Sequence, residues 1–129
     1  MKEDTINILI ADDDQISSMV LEIMLNHLGH TNVTIVESPK AAIKSAEYNA
    51  FDLILMDIHF GNGIDGIQAY KQISNFRDIP VIYMTSVSDN EVYNRAKETD
   101  FLEFIIKPVL VTSLSSALKK VEHIKKKAS

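Results

Sequence analysis

Five short apolar runs recur along the chain: INILIA (6–11), VTIV (33–36), LILM (53–56), VIYMT (81–85) and FLEFII (101–106). Between them lie segments whose apolar residues are spaced three and four apart, the helical period. Short runs that are apolar at consecutive positions suit strands buried on both faces, and strands alternating with helices pair in parallel. The pattern predicts an α/β chain of three layers, a doubly wound five-stranded parallel sheet with helices on both faces.

The helix boundaries carry their own signals. After the first run, Ile16, Val20, Ile23, Met24, His27 and Leu28 form one apolar stripe that stops at Gly29, so this stripe is expected to face inward. In ESPKAAIKSAEY, Ser38 stands at a cap position and Pro39 at the first helical position, where its missing N–H costs nothing. The third helix opens at DGIQAYKQIS with Asp65 as cap and Ile67, Tyr70 and Ile73 inward. Ser88 followed by Glu91 has capping-box spacing ahead of VYNRAKE, whose short apolar face makes this the least firmly held helix. The last helix places Leu110, Leu114, Ala117, Leu118, Val121 and Ile124 on one face. Its terminal Lys125 to Lys127 complement the helix dipole, a reading preferred to a polybasic nucleic-acid or lipid patch.

Size and charge narrow the function. The 129 residues, 46% hydrophobic and 24% charged, suffice for one domain and leave no room for a second. Residues 1–129 are read as that domain, with 5–124 as its core and 125–129 as a tail or the start of a linker. A formal charge of −5 disfavours nucleic acid and anionic membrane as direct partners. No stretch approaches the roughly 18 apolar residues of a membrane span, and MKEDTINILIADDD lacks the apolar core and cleavage site of a signal peptide. These features predict a cytoplasmic protein. The absence of Cys removes disulfides and thiolate chemistry.

The stretch FDLILMDIHF poses a chemical problem, because its apolar run ends at a lone carboxylate, Asp57. An unpaired ionised carboxylate in a core is costly, so Asp57 belongs where the strand leaves the core. The other notable polar residues sit at strand ends too: Asp12, Asp13 and Asp14 after the first, Thr85 and Ser86 at the fourth, Lys107 after the fifth. With right-handed crossovers, the strand order 2-1-3-4-5 makes the first and third strands neighbours and gathers Asp12, Asp13 and Asp57 into one crevice. Two carboxylates about 4 Å apart repel by about 4 kcal/mol at an effective dielectric near 20, so a trio raises its pKa values or recruits a cation. Magnesium suits a shallow all-oxygen site. No His and Cys cluster at metal-ligand spacing argues for zinc. Asp14 is read as the cap of the first helix. His59, two residues past Asp57, can offer its backbone carbonyl with its imidazole at the solvent edge; His27, His30 and His123 are scattered and taken as ordinary surface or half-buried residues. Acids, a hydroxyl and a lysine converging in one crevice suit a transferring phosphoryl group.

The pieces ILIADDD, DLILMDIHF, DGI, VIYMTS and FIIKP, in this order, resemble the receiver domain of a two-component response regulator over nearly the whole chain. The resemblance implies the flavodoxin-like (βα)5 fold, Asp57 as phospho-acceptor, and Mg2+ held by Asp12, Asp13, Asp57 and the His59 carbonyl. It also implies Thr85 as the switch hydroxyl, Lys107 as the phosphoryl-contacting lysine, Phe104 as the aromatic switch position, and a cis peptide between Lys107 and Pro108. The implied partner is a sensor histidine kinase or phosphotransfer protein that delivers a phosphoryl group from phosphohistidine. The implied output is a changed surface on the fourth helix, fifth strand and fifth helix, open to an effector domain, a protein target or a homodimer. Such a chain is a signalling domain rather than a conventional enzyme.

The sequence also departs from the family's commoner pattern. The loop HFGNGIDG lacks the usual proline and places Asp65 eight residues beyond Asp57, with Gly61 and Gly63 as turn residues tolerating positive φ. Phe104 lacks a hydroxyl, so a switch there works through packing, and Val87 stands where a polar side chain would help position attacking water. The competing reading is a non-catalytic docking or dimerisation module on the same fold. A haloacid-dehalogenase-like phosphatase would need a second acid where His59 stands. Nucleotide or flavin binding would need a glycine-rich loop where the three acids stand.

Overall fold

The computed structural model describes residues 5–60, 63–87 and 89–128. Strands and helices alternate as β1 (Ile8–Ala11), α1 (Gln15–His27), β2 (Val33–Val36), α2 (Pro39–Tyr48), β3 (Leu53–Asp57), α3 (Gly66–Ile73), β4 (Val81–Thr85), α4 (Asn90–Ala96), β5 (Glu103–Ile106) and α5 (Val111–Ala128). The strands form one parallel sheet in the order β2-β1-β3-β4-β5, as expected.

Strand periodicity divides the core. Leu9 and Ala11 of β1, Ile54 and Met56 of β3, and Val81 and Tyr83 of β4 point to one face, where α2, α3 and α4 cover them. Ile8 and Ile10, Leu53 and Leu55, and Ile82 and Met84 point to the other, under Leu21 and Leu25 of α1 and Leu114, Ala117, Leu118 and Val121 of α5. The three inner strands are buried along their whole length, which is why they read as continuous apolar runs.

Side-chain detail departs from expectation in several places. The stripe assigned to the inner face of α1 is largely on its outer face: Ile16 is 72% exposed and Ile23 59%, and Met19 and Val20 lie exposed beside them. The inner line is Ser18, Leu21 and Leu25. Both sides of this helix carry apolar residues at helical spacing, so periodicity cannot select between them. Ser18 wins its place because it is small and its hydroxyl donates to the Asp12 carbonyl oxygen at 3.5 Å. At the other end of the chain, Leu110 and Ile124 are exposed while the residues between them on that face are buried.

Helix α4 is capped by Asp89, whose Oδ1 accepts from Val92 N at 2.8 Å. Ser88, expected in that role, lies outside the described residues, as does Gly61. Gly63 has the anticipated positive φ of 92°. His30 is buried, with Nε2 3.2 Å from Glu122 Oε2, deeper than the surface or half-buried place expected of it. Among the described residues no helix is long and apolar enough to cross a membrane.

Candidate phosphoryl-transfer site

The carboxyl ends of β1, β3, β4 and β5 converge on one crevice. Asp12 follows β1 and is buried; its Oδ1 accepts from Asp14 N at 2.9 Å, which fixes the carboxylate. Asp13 is exposed at the mouth. Asp57 ends β3 and is buried, and carboxylate oxygens of Asp12, Asp13 and Asp57 lie within 4.8 Å of one another. The register brings this about: β1 pairs directly with β3, Ala11 opposite Met56, so the residues that follow emerge side by side.

Lys107 reaches in from the end of β5. Its Nζ lies 3.0 Å from Asp12 Oδ2 and 3.3 Å from Asp57 Oδ2. Burial works against its charge, but the two acids outweigh that and hold its pKa above the ordinary lysine value. The bond from Lys107 to Pro108 is cis, as anticipated. Asp57 is pushed up to about 6, by burial first and by Asp12 in addition, with Lys107 pulling the other way. Asp14 stands apart from this group. Its Oδ1 accepts from the N–H groups of Ser17 and Ile16, which lowers its pKa and caps α1.

The β3–α3 connection is tied to the same strand end. Asp65 caps α3 through a reciprocal box with Gln68, and Gly66 N donates to the Ile58 carbonyl at 2.8 Å. A Cβ at Gly66 would stand 2.2 Å from the Asp57 carbonyl oxygen, so only glycine lets α3 start this close. His59 is exposed beside this loop.

Thr85 closes the fourth side. It is fully buried at the end of β4, and its Oγ1 accepts from Val87 N at 3.1 Å. Phe104 on β5 is half-buried, edge-on to Tyr93 of α4 with ring centroids 5.1 Å apart and packed against Phe101. Between α1 and the turn into α5, a cleft of about 490 Å³ runs from Asp12 and Lys107 outward along Ile16, Val20 and Met24.

The donor set fits a hard divalent cation. All three side chains offer oxygen, and their carboxylates lie within 4.8 Å of one another, close enough to share one ion. Sequence reasoning missed two features. The ion pair between Arg95 Nη1 on α4 and Asp65 Oδ2, at 2.8 Å, left no spacing signal because its partners lie 30 residues apart. The outward face of α1 could have been found by counting apolar residues on both sides of that helix.

Comparison with known proteins agrees with this geometry. The response regulator receiver domain family matches residues 8–119. The chain is 34% identical over 121 residues to the transcriptional regulatory protein ZraR of Escherichia coli K12, covering 93% of this chain and 27% of that protein. It is 29% identical over 111 residues to the transcriptional regulatory protein PdtaR of Mycobacterium tuberculosis, covering 86% of this chain and 54% of that one. The chain thus spans about a quarter to a half of the length of these relatives. Among solved structures, the receiver domain of the sensor histidine kinase PA1611 from Pseudomonas aeruginosa superposes with a TM-score of 0.82 at 26% identity, covering 92% of this chain and 98% of that one; it holds a magnesium ion in its active-site cleft. The signal receiver domain of a modulated diguanylate cyclase from Desulfovibrio desulfuricans gives 0.87 at 26% identity, covering 97% and 99%. With the family matched across most of its length and the fold and acidic crevice in place, this chain belongs to the response regulator receiver domain family.

Proposed function

We propose that this receiver domain accepts a phosphoryl group on Asp57 from a phosphohistidine of a sensor kinase or phosphotransfer protein. An Asp57 carboxylate oxygen forms the new P–O bond while the P–N bond of the donor breaks, and that electron pair returns to the imidazole nitrogen. Asp12, Asp13 and Asp57, with the His59 backbone carbonyl, would hold Mg2+, which supplies charge neutralisation for the phosphoryl oxygens. Lys107, already in contact with Asp57, moves onto the phosphoryl group as a second positive charge.

The Thr85 hydroxyl then exchanges its bond to Val87 N for one to a phosphoryl oxygen, drawing the loop after β4 inward. Phe104 follows through packing alone, and the α4, β5 and α5 surface changes for an effector, a protein target or a second copy. The new charge drives the shift because Thr85 and Lys107 contact it in only one of the two states. The domain is thereby a signalling element rather than a conventional enzyme.

The observation that carries this reading is the trio of carboxylates within 4.8 Å with Lys107 touching two of them. The exposed strip of Ile16, Met19, Val20 and Ile23 supports a protein donor, since it offers an apolar seat beside the mouth of the crevice. Incubation with Mg2+ and acetyl phosphate, followed by intact mass, tests the chemistry. A phosphate-sized increase is expected in the parent and not in Asp57→Asn. No increase in the parent would favour the docking module instead.

A further inference from the structure

Helix α4 is the lightest-anchored element of the sheet's helical cover. It has seven residues, and only Val92 and Ala96 are buried. Both are small, so α4 rests on the core through little apolar area. Ion pairs hold one flank. Arg95 donates to Asp65 Oδ2 at 2.8 Å, and just past the helix end Glu98 pairs with Lys71 of α3. Tyr93 adds edge contacts to the rings of Phe101 and Phe104.

The Arg95 contact differs from an ordinary surface pair in where its acid stands. Asp65 uses Oδ1 to cap α3 through Gln68 N and is bound in return by the Gln68 side chain. It is half-buried and rigidly placed, so Arg95 meets a fixed partner and loses less freedom than at a mobile one. The next residue, Gly66, abuts the Asp57 carbonyl oxygen and donates to Ile58. One peptide bond followed by these Gly66 contacts therefore joins the acid that Arg95 grips to the strand end that carries Asp57. On the far side, Arg95 sits two residues beyond Tyr93, which touches the Phe104 ring.

We propose that the Arg95–Asp65 pair is a latch that holds α4 in the resting position and opposes its displacement when Asp57 is phosphorylated. This rests on the phosphoacceptor reading above and names a regulator of that site. The pair is closed in an arrangement in which Thr85 Oγ1 is engaged by Val87 N and Lys107 bridges the two acids, the pattern that the phosphoacceptor reading assigns to the resting state. Drawing the loop after β4 toward Asp57 pulls the Asp89-capped end of α4, and α4 follows only as its tie to α3 loosens. By linkage, removing a contact made only in the resting state must favour the phosphorylated one. Arg95 is on this account a positioning residue acting through Asp65, with no contact to the phosphoryl group.

Two measurements on the intact chain test this: amide exchange across α4 without ligand, and calorimetric affinity for beryllofluoride, an acyl-phosphate mimic, with Mg2+. The variants are Arg95→Gln, Arg95→Lys and Asp65→Asn, the last keeping a side chain that caps helices well. Arg95→Gln and Asp65→Asn are each expected to speed exchange in α4 and to tighten beryllofluoride binding by about fivefold. The double variant should match the singles, because both act through one contact, and Arg95→Lys should recover most of the parent behaviour. Unchanged affinity in Arg95→Gln, or two effects that add in the double variant, overturns the latch even where thermal stability falls. If the parent itself binds no beryllofluoride, the phosphoacceptor reading fails, and the latch fails with it as a regulator. In that case faster exchange in Arg95→Gln would leave the pair only a structural tie.

Discussion

Lys107 and Asp12 lie 95 positions apart in the chain, yet the ammonium and the buried carboxylate meet at 3.0 Å. The contact places a cation inside the acidic crevice, where it also reaches Asp57. Charge balance here thus rests partly on a side chain from the far edge of the sheet, and removal of either member is felt at Asp57.

Asp57 titrates near 6, above the 3.8 of a free aspartate, because burial and Asp12 disfavour its charge. The folded protein therefore binds the proton more tightly than the unfolded chain. Ionised Asp57 costs stability, fully above about pH 6 and not at all below about pH 4. Metal-free Asp57→Asn is expected to be more stable than the parent at pH 7 by on the order of 2 kcal/mol, the gap closing as pH falls toward 4. Urea denaturation across that range checks it, and a gap that widens on acidification would contradict it. Lys107→Met should raise the Asp57 titration point further, as read by carboxyl NMR.

Gly66→Ala isolates the approach of α3 to the strand end. The added methyl would fall 2.2 Å from the Asp57 carbonyl oxygen and 2.8 Å from Met56 Cγ, and the first of these is backbone that cannot swing aside. A loss of about 2 kcal/mol or more is expected in urea denaturation, with slower phosphate uptake from acetyl phosphate. Parent-like stability would mean that the loop relaxes freely.

The strands and the three acids were legible because both depend on local patterns repeated along the chain. Continuous apolar runs mark buried parallel strands, and polar residues at their ends mark the crevice. What stayed hidden depends on choices between near-equal local options or on distant pairing. The apolar residues of α1 fit two faces, and only the packed structure selects one, with Leu21 and Leu25 in the core cluster and the Ser18 hydroxyl on the Asp12 carbonyl. Capping-box spacing points to Ser88, whereas the chain caps α4 with its neighbour Asp89. His30 meets Glu122, and Arg95 meets Asp65, across separations that carry no periodicity.

The outward face of α1 makes a separable prediction. Ile16 and Val20 are exposed and line the cleft beside Asp12 and Lys107, so charge there should leave the fold intact while spoiling an apolar seat for a protein donor. The double variant Ile16→Asp, Val20→Asp is expected to keep its thermal midpoint and its labelling by acetyl phosphate. Transfer from a phosphorylated histidine protein should fall by about tenfold or more. Equal loss with both donors would place the defect in the crevice rather than at a docking face.

Val87 is expected to set the lifetime of an acyl phosphate on Asp57 rather than its formation. Its backbone N–H engages Thr85 Oγ1, which sets the residue at the rim of the crevice, and its side chain is exposed and apolar. Hydrolysis needs a water aligned on the far side of the phosphorus from Asp57, and an isopropyl group offers that water no hydrogen bond. Val87→Glu supplies an acceptor at the rim, and a gain of about tenfold in self-dephosphorylation is expected from positioning of this kind. Following loss of the phosphate-sized increment by intact mass after removal of acetyl phosphate gives the two rates. A parent that sheds its phosphate as fast as the variant would show that water reaches the phosphorus by a path Val87 does not border.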